Sequence, residues 1–287
     1  MKLVTFRRNP GGKEEPGILL HDGRIMPASR WSSVNDIILH AGRESLEALA
    51  ASDDGALDPG SVTLLSPIPE PLQDVLCLGL NYRAHADEAF QYSQDSFSSD
   101  RAVPIFFSKR VSRSQGTGDI IPAHEDLTSR LDYENELAVI IGKDAVNVSP
   151  EDAKQYIFGY TILNDVSARD LQTSHRQWYF GKSLDGFTPM GPCIITADEV
   201  SFPPALKIST RVNGELRQDS TTDMLIHSIP EIISFLSRGM TLKAGSIIAT
   251  GTPKGVVMGM DDPVFLKKGD VIECFIEGIG TLVNTVG

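Results

Sequence analysis

Two glutamates stand at the start of an apolar segment in the middle of the chain. Glu134 and Glu136 are two residues apart and lead into the apolar run 137–141. Because side chains alternate between the two faces of a strand, both carboxylates point to the same face. Two negative charges on one face repel each other unless a positive group lies between them. The two carboxylates are therefore candidate ligands of a cation.

A second segment adds a third carboxylate. Asp165 follows the apolar run 160–163, and we predict that it starts a helix. On that helix Arg169 and Gln172 fall at positions i+4 and i+7, on the same face as Asp165. Carboxylates with no histidine or cysteine beside them suit a hard cation with oxygen ligands, Mg²⁺ or Mn²⁺.

The spacing alone leaves simpler interpretations open. Glutamates that alternate along a strand are common on the solvated face of an edge strand, which would make Glu134 and Glu136 surface residues. Asp165 is equally typical of a helix cap. Other chemistries lack their motifs: the chain has neither a Gly-x-Ser-x-Gly elbow nor a His-Glu-x-x-His zinc motif. The segment 251–255 contains glycines and a lysine, but Pro253 and the spacing of its glycines do not match a phosphate-binding loop.

Five motifs in a fixed order strengthen the metal interpretation, since together they closely resemble the fumarylacetoacetate hydrolase family. They occupy residues 79–88, 132–142, 164–172, 181–192 and 250–256, within a similarity that spans roughly residues 72 to 283. The resemblance implies that family's rolled, mixed and mostly antiparallel β-sandwich, an α+β fold. It also implies a small N-terminal α+β domain and a homodimer.

The resemblance also implies a role for nine side chains. They are the metal ligands Glu134, Glu136 and Asp165, the water-activating pair His85 and Glu88, the oxyanion-binding Lys182, and the substrate-binding Arg169, Gln172 and Thr252. Each has a simpler alternative. His85 is also typical of a core or helix-end histidine, Lys182 of a surface turn, and Arg169 of an ion pair within its helix.

The implied activity is a magnesium-dependent hydrolysis of a 2,4-dioxo acid of the acylpyruvate or fumarylpyruvate type. In it His85 activates water, the C3–C4 bond breaks, and the metal and Lys182 hold a pyruvate enolate. The same enolate would form in an oxaloacetate decarboxylase or a 2-oxo-enoic acid isomerase. A non-catalytic protein that binds a small acid is a more distant alternative.

The elements around these residues predict two units, a small N-terminal domain (1–66) and a catalytic domain (67–287). The second unit is rich in strands and lacks strict βαβ alternation, which favours an α+β fold. We predict its strands at 75–80, 105–108, 137–141, 158–163, 193–196, 206–212, 247–250, 271–276 and 280–283. Capping patterns predict one helix that starts near Ser149 and another from Pro230 to Arg238.

The polar segment 86–100, with Phe90, Tyr92 and Phe97, is either a mobile lid or a surface loop. Arg110 and Arg113 either line the mouth of the pocket or are solvated. We interpret His175 as a surface residue, and the three cysteines (Cys77, Cys193 and Cys274) as core residues.

Composition limits the partners. The 287-residue chain has 41% hydrophobic residues and a formal net charge of −12, which argues against nucleic acid and against an anionic membrane surface. No charged and apolar leader opens the sequence, and no apolar stretch reaches the length of a membrane span. We therefore expect a cytoplasmic protein. The resemblance implies that its partner is a small 2-oxo acid.

Overall fold

Strands dominate the computed structural model, which describes residues 1–52, 54–92 and 103–287. The strands are β1 (Lys2–Arg7), β2 (Glu15–Leu19), β3 (Ile25–Pro27), β4 (Thr63–Leu64), β5 (Val75–Gly79), β6 (Ile105–Lys109), β7 (Ile120–Ile121), β8 (Leu131–Asp132), β9 (Asn135–Ile141), β10 (Ile157–Asn164), β11 (Ser167–Ala168), β12 (Met190–Thr196), β13 (Lys207–Val212), β14 (Glu215–Thr221), β15 (Ile247–Ala249), β16 (Val271–Ile276) and β17 (Gly280–Val286). The helices are α1 (Val34–His40), α2 (Arg43–Ala50), α3 (Arg83–Tyr92), α4 (Arg169–Ser174), α5 (Tyr179–Lys182) and α6 (Ile229–Ser237).

Two mixed sheets build the molecule. The larger runs in the order β3-β2-β1-β12-β10-β9-β15-β5-β6, and β4 pairs with β1 beside this path. The smaller runs in the order β14-β13-β16-β17-β7, and β8 and β11 form a separate pair. Neighbouring strands are antiparallel except at β15–β5 and β17–β7. The predicted α+β class with mostly antiparallel strands is confirmed.

The N-terminal strands continue the larger sheet. Strand β1 pairs with β2 on one side and with β12 on the other, where Leu3 lies opposite Ile194. Helices α1 and α2 follow β3 in the chain, and the buried side of α1 packs into the same apolar cluster as Leu3. The division of the chain at residue 66 stays a prediction.

Strand β9 lies at the centre of the fold, between β10 and β15, and every one of its residues is buried. Leu137 and Val139 pack into the larger apolar cluster, whereas Ala138 and Ile140 pack into the second. A strand that is buried on both faces reads as one continuous apolar run, as this one does. The interpretation of Glu134 and Glu136 as the solvated face of an edge strand is therefore wrong.

The three cysteines are buried, as predicted.

Several local predictions need correction. The segment after Ser149 forms a single 3₁₀ turn, Ala153–Tyr156, in place of a helix. The helix predicted from Asp165 starts four residues later, at Arg169, because Ser167 and Ala168 pair with β8. Strand β14 was missed. Helix α6 is confirmed, and a capping box between Ser228 and Glu231 fixes its start.

The segment proposed as a lid or loop begins as a helix. Helix α3 spans Arg83–Tyr92, so residues 86–92 are not a surface loop, and the mobile lid stays a prediction. Residues 93–100, with Phe97, lie outside the described part, as do the side chains of Phe90 and Tyr92. No helix in the described ranges is both long and apolar enough to span a membrane.

Candidate active site

The three predicted metal ligands meet in one buried cluster. One carboxylate oxygen from each of Glu134, Glu136 and Asp165 lies within 4.8 Å of the others. All three side chains are buried, and Asp165 is fully so. Three such oxygens at this spacing are a donor set for a hard divalent cation.

Backbone pairing brings these carboxylates together. Strands β9 and β10 place Glu136 opposite Leu163, at the end where both strands meet the site. Just beyond, the Asp165 amide donates to the Glu134 carbonyl at 2.8 Å, and the Glu134 amide donates to Asn164 Oδ1 at 3.0 Å. These bonds fix both acidic residues although neither lies within a strand.

Two buried lysines face the acidic cluster. Lys182 Nζ donates to Glu134 Oε2 and to Asp165 Oδ2, each at 2.7 Å. Lys109 Nζ donates to Asp165 Oδ1 and to the Val166 carbonyl. Burial alone would lower the pKa of Lys182, but the charges of Asp165 and Glu134 outweigh burial and raise it. Lys182 is therefore held as an ammonium inside the site.

Arg169 ties the cluster to its surroundings. Its Nη2 lies 2.7 Å from Glu134 Oε1, and its Nε donates to Asp132 Oδ2 at 2.8 Å. Its Nη1 donates to Gln172 Oε1 at 3.0 Å. Asp132 also accepts from the amides of Val257 and Met258, so one buried carboxylate orients both Arg169 and the loop that faces it.

The positive groups are unevenly shared among the carboxylates. Burial opposes the charge of Glu134, yet Lys182 and Arg169 outweigh burial and hold its pKa well below the ordinary value. Burial, with the negative charges of Asp165 and Glu134, raises the pKa of Glu136 well above the ordinary value. Glu136 accepts from the Gly251 amide at 2.7 Å. A cation bound by the three carboxylates would remove this repulsion, so the residues fit a divalent metal.

A histidine–glutamate pair stands beside this cluster, on helix α3. His85 Nδ1 lies 3.0 Å from Glu88 Oε2, and His85 is 4% exposed. The Gly255 amide donates to Glu88 Oε1 at 3.2 Å. A Cβ atom placed on Gly259 would lie 2.1 Å from Glu88 Cδ, so that glycine leaves room for the carboxylate. Glu88 is thereby fixed from two sides and in turn orients the imidazole.

Thr252 is held by the end of the sheet. Its hydroxyl donates to the Asn135 carbonyl at 2.9 Å and accepts from Gln218 Nε2 at 2.8 Å. Gln218 lies on β14, the strand missed from sequence, and it also accepts from Thr210 Oγ1 at 2.7 Å. The hydroxyl of Thr252 thus stands at the edge of the cavity with a fixed orientation.

A single cavity of about 300 Å³ joins these groups. His85, Glu134, Glu136, Arg169, Gln172, Lys182 and Thr252 all line it. Leu80, Phe107 and Trp178 supply apolar wall, with the rings of Phe107 and Trp178 edge to face at 5.2 Å. A space of this size suits a molecule of a few carbon atoms.

Seven of the nine predicted site residues line this cavity, and the other two, Glu88 and Asp165, contact lining residues (His85 and Lys182); the roles of all nine stay predictions. Sequence reasoning missed Lys109 and Asp132. Lys109 ends an apolar strand, as Asp165 follows one, but this position alone does not distinguish a buried lysine from a solvated one. Arg110 and Arg113 do not line this cavity; they pair with carboxylates elsewhere, Arg110 with Asp74 at 3.6 Å. His175 is exposed, as predicted.

The C-terminal three quarters of the chain match one protein family. The description "fumarylacetoacetate (FAA) hydrolase C-terminal" covers residues 74–287. The chain therefore belongs to the fumarylacetoacetate hydrolase family, and it is an enzyme of that family.

Individual relatives differ in their named activities. The oxaloacetate tautomerase YisK of Bacillus subtilis is 50% identical over 226 residues, which are 79% of this chain and 73% of that protein. A fumarylacetoacetate hydrolase from Exiguobacterium antarcticum superposes with a TM-score of 0.85 at 40% identity, over 100% of this chain and 99% of that one. A 2-hydroxyhepta-2,4-diene-1,7-dioate isomerase from Mycobacterium marinum gives 0.74 at 32% identity, over 100% and 98%.

Proposed function

We propose that this enzyme interconverts the keto and enol forms of oxaloacetate. The observation that carries the proposal is the His85–Glu88 pair, fixed at 3.0 Å, in which His85 lines the same small cavity as Lys182, Glu134 and Glu136. The 50% identity to an enzyme named oxaloacetate tautomerase supports it. Relative to the sequence-based expectation, this moves the reaction from C–C cleavage to proton transfer through the same enolate.

The proton transfer requires one base at carbon C3. Because His85 Nδ1 faces Glu88, Nε2 is the ring nitrogen that exchanges a proton with the substrate. Glu88 stabilises the imidazolium that forms when His85 takes the C3 proton. The imidazolium then gives this proton to the enolate oxygen on C2, which completes the enol. The reverse direction runs the same two transfers backwards, from the enol oxygen to His85 and from His85 to C3.

The developing negative charge lies on the oxygen of C2, and this site offers positive groups for it. Lys182 is buried and charged, so it stabilises the enolate without reorganising water. When bound, Mg²⁺ or Mn²⁺ would supply a Lewis acid for the 2-oxo acid. Glu134, Glu136 and Asp165 would hold it. Burial of the site excludes bulk water from the enolate.

Hydrolysis of an acylpyruvate is a second candidate, because the same pair could deprotonate water. The structural similarity to a fumarylacetoacetate hydrolase favours it. The two reactions differ in where the proton comes from. Tautomerisation takes it from C3 of the substrate, whereas hydrolysis takes it from a water molecule that then attacks the 4-oxo carbon.

The ultraviolet absorbance of enol oxaloacetate tests the proposal. We expect the Mg²⁺-supplemented enzyme to speed the decay of the enol with saturation kinetics, and His85→Ala to reduce this rate by about 10²–10⁴-fold. Acetopyruvate is assayed in parallel for release of pyruvate. A wild-type enzyme that leaves enol decay at the buffer rate but cleaves acetopyruvate would establish the hydrolase in place of the tautomerase.

A further inference from the structure

A third cationic side chain lines the cavity in addition to Arg169 and Lys182. Arg176 follows helix α4 and contributes to the cavity wall, and its side chain is exposed. The other two are buried and bound to carboxylates of the chain. Across residues 1–52, 54–92 and 103–287, Arg176 forms no ion pair with an acidic residue of the chain. Its positive charge is thus available to an anion that enters the cavity.

The backbone at Arg176 is unusual for this residue type. Its φ is 61°, in the left-handed region that residues with a Cβ seldom occupy. The preceding residue, His175, closes α4 with its amide bonded to the carbonyls of Leu171 and Thr173. Such a conformation costs about 1 kcal/mol or more and is concentrated at functional sites. Glycine or asparagine is the usual residue in this conformation at a helix end, so the arginine adds a second observation to its place in the cavity wall.

The other residues of the cavity wall limit which group of a substrate can bind at Arg176. Leu80 and Phe107 are apolar and Gln172, Thr173 and Thr252 are neutral, so these residues supply no positive charge for a second carboxylate on a bound substrate. The carboxylate cluster would repel that charge. An anion at the end of the substrate away from Lys182 would therefore meet Arg176 as its partner.

We propose that Arg176 binds the distal carboxylate of the substrate and selects 2-oxo dicarboxylic acids over 2-oxo acids with an uncharged tail. This inference rests on the proposed function, because it assumes that the 2-oxo end lies at Lys182 and the metal carboxylates. A guanidinium can bind a carboxylate through two parallel hydrogen bonds, which makes it well suited to this selection.

The kinetic test is Arg176→Gln. We expect KM for oxaloacetate to rise roughly 10- to 100-fold, the loss typical of one charge-assisted contact, with kcat within about threefold. Arg176→Lys should recover part of the loss. Arg110→Gln is the matched control, because Arg110 is also exposed but does not line the cavity, and it should leave KM unchanged.

A binding measurement separates this inference from the reaction itself. L-Malate and L-lactate have the same 2-hydroxy acid end and differ in the distal carboxylate. By calorimetry with Mg²⁺, wild-type enzyme should bind malate at least about tenfold more tightly than lactate, and Arg176→Gln should remove that difference.

Failure of the proposed function and failure of the inference about Arg176 give different results. Wild-type enzyme that discriminates malate from lactate through Arg176 but does not tautomerise oxaloacetate would overturn the proposed function and keep the carboxylate site. Equal binding of malate by the wild type and by a folded Arg176→Gln variant would overturn the role of Arg176, whatever reaction is catalysed.

Discussion

Replacing Gly259 by alanine should disable the enzyme without removing a charged group. The new Cβ would lie 2.1 Å from Glu88 Cδ and 2.4 Å from Glu88 Oε1. Ordinary carbon–carbon contacts are about 3.5–4.0 Å, so the Glu88 carboxylate must move by more than about 1 Å. Its hydrogen bond with His85, now 3.0 Å, would then exceed the length of an effective bond.

The expected loss follows from the role of His85. Without Glu88 the imidazolium is neither oriented nor stabilised, and we expect kcat/KM for enol decay to fall by about 10²-fold, or ~2.7 kcal/mol in the barrier. The unfolding midpoint should change little, because the partly exposed Glu88 side chain can rotate away from the new methyl group. Gly259 has no positive φ, so alanine adds no backbone strain there.

Two comparisons test this reasoning. Gly239→Ala is the matched control, since a Cβ there meets no atom within 4 Å, and it should retain wild-type activity. The double variant His85→Ala/Gly259→Ala should be no slower than His85→Ala, because both changes act through one pair. Wild-type activity in Gly259→Ala, or additive losses in the double variant, would refute the assigned function of Glu88.

Three further outcomes are expected. Chelation with EDTA should abolish activity, and Mg²⁺ or Mn²⁺ should restore it. In the chelated protein Glu136→Gln should raise the melting temperature, because it removes the repulsion of Glu136 by Asp165 and Glu134. The same variant should lose the stabilisation that Mg²⁺ gives the wild type. Lys109→Met should destabilise the protein by about 3–5 kcal/mol in urea unfolding, because Asp165 loses one of its two buried cations, whereas Lys109→Arg should cost less. Burial opposes the charge of Asp170, but hydrogen bonds from Thr128 and backbone amides lower its pKa. Ionised Asp170 therefore stabilises the folded protein above pH about 3.8, and this contribution is lost as the pH falls. Asp170→Asn should flatten the acid limb of a curve of unfolding free energy against pH.

Much of the larger sheet could be predicted from local patterns, because its central strands are continuous apolar runs. Strand β14 could not, since Glu215–Thr221 is polar and mostly accessible, and only its pairing with β13 makes it a strand. The start of α4 was misplaced for a similar reason. Pairing of Ser167 and Ala168 with β8 is a contact between distant segments, and it overrides local helix propensity.

In the candidate site too, contacts between distant segments could not be predicted from the local sequence. Glu134, Glu136 and Asp165 were found because acids beside apolar strands are visible in the sequence. Lys109 was missed because a lysine at the end of a strand is usually solvated. Only the fold shows that Lys109 is fully buried against Asp165.

Deuterium incorporation at C3 of oxaloacetate tests the central claim most directly. The enzyme is given oxaloacetate in D₂O with Mg²⁺, and the keto form is trapped at once as malate by malate dehydrogenase and NADH for analysis by NMR. Because His85 serves as the one base at C3, we predict rapid labelling of a single C3 position in the wild type, and labelling at the buffer rate in His85→Ala. Labelling at the buffer rate in the wild type, or equal labelling of both positions, would contradict proton transfer through His85.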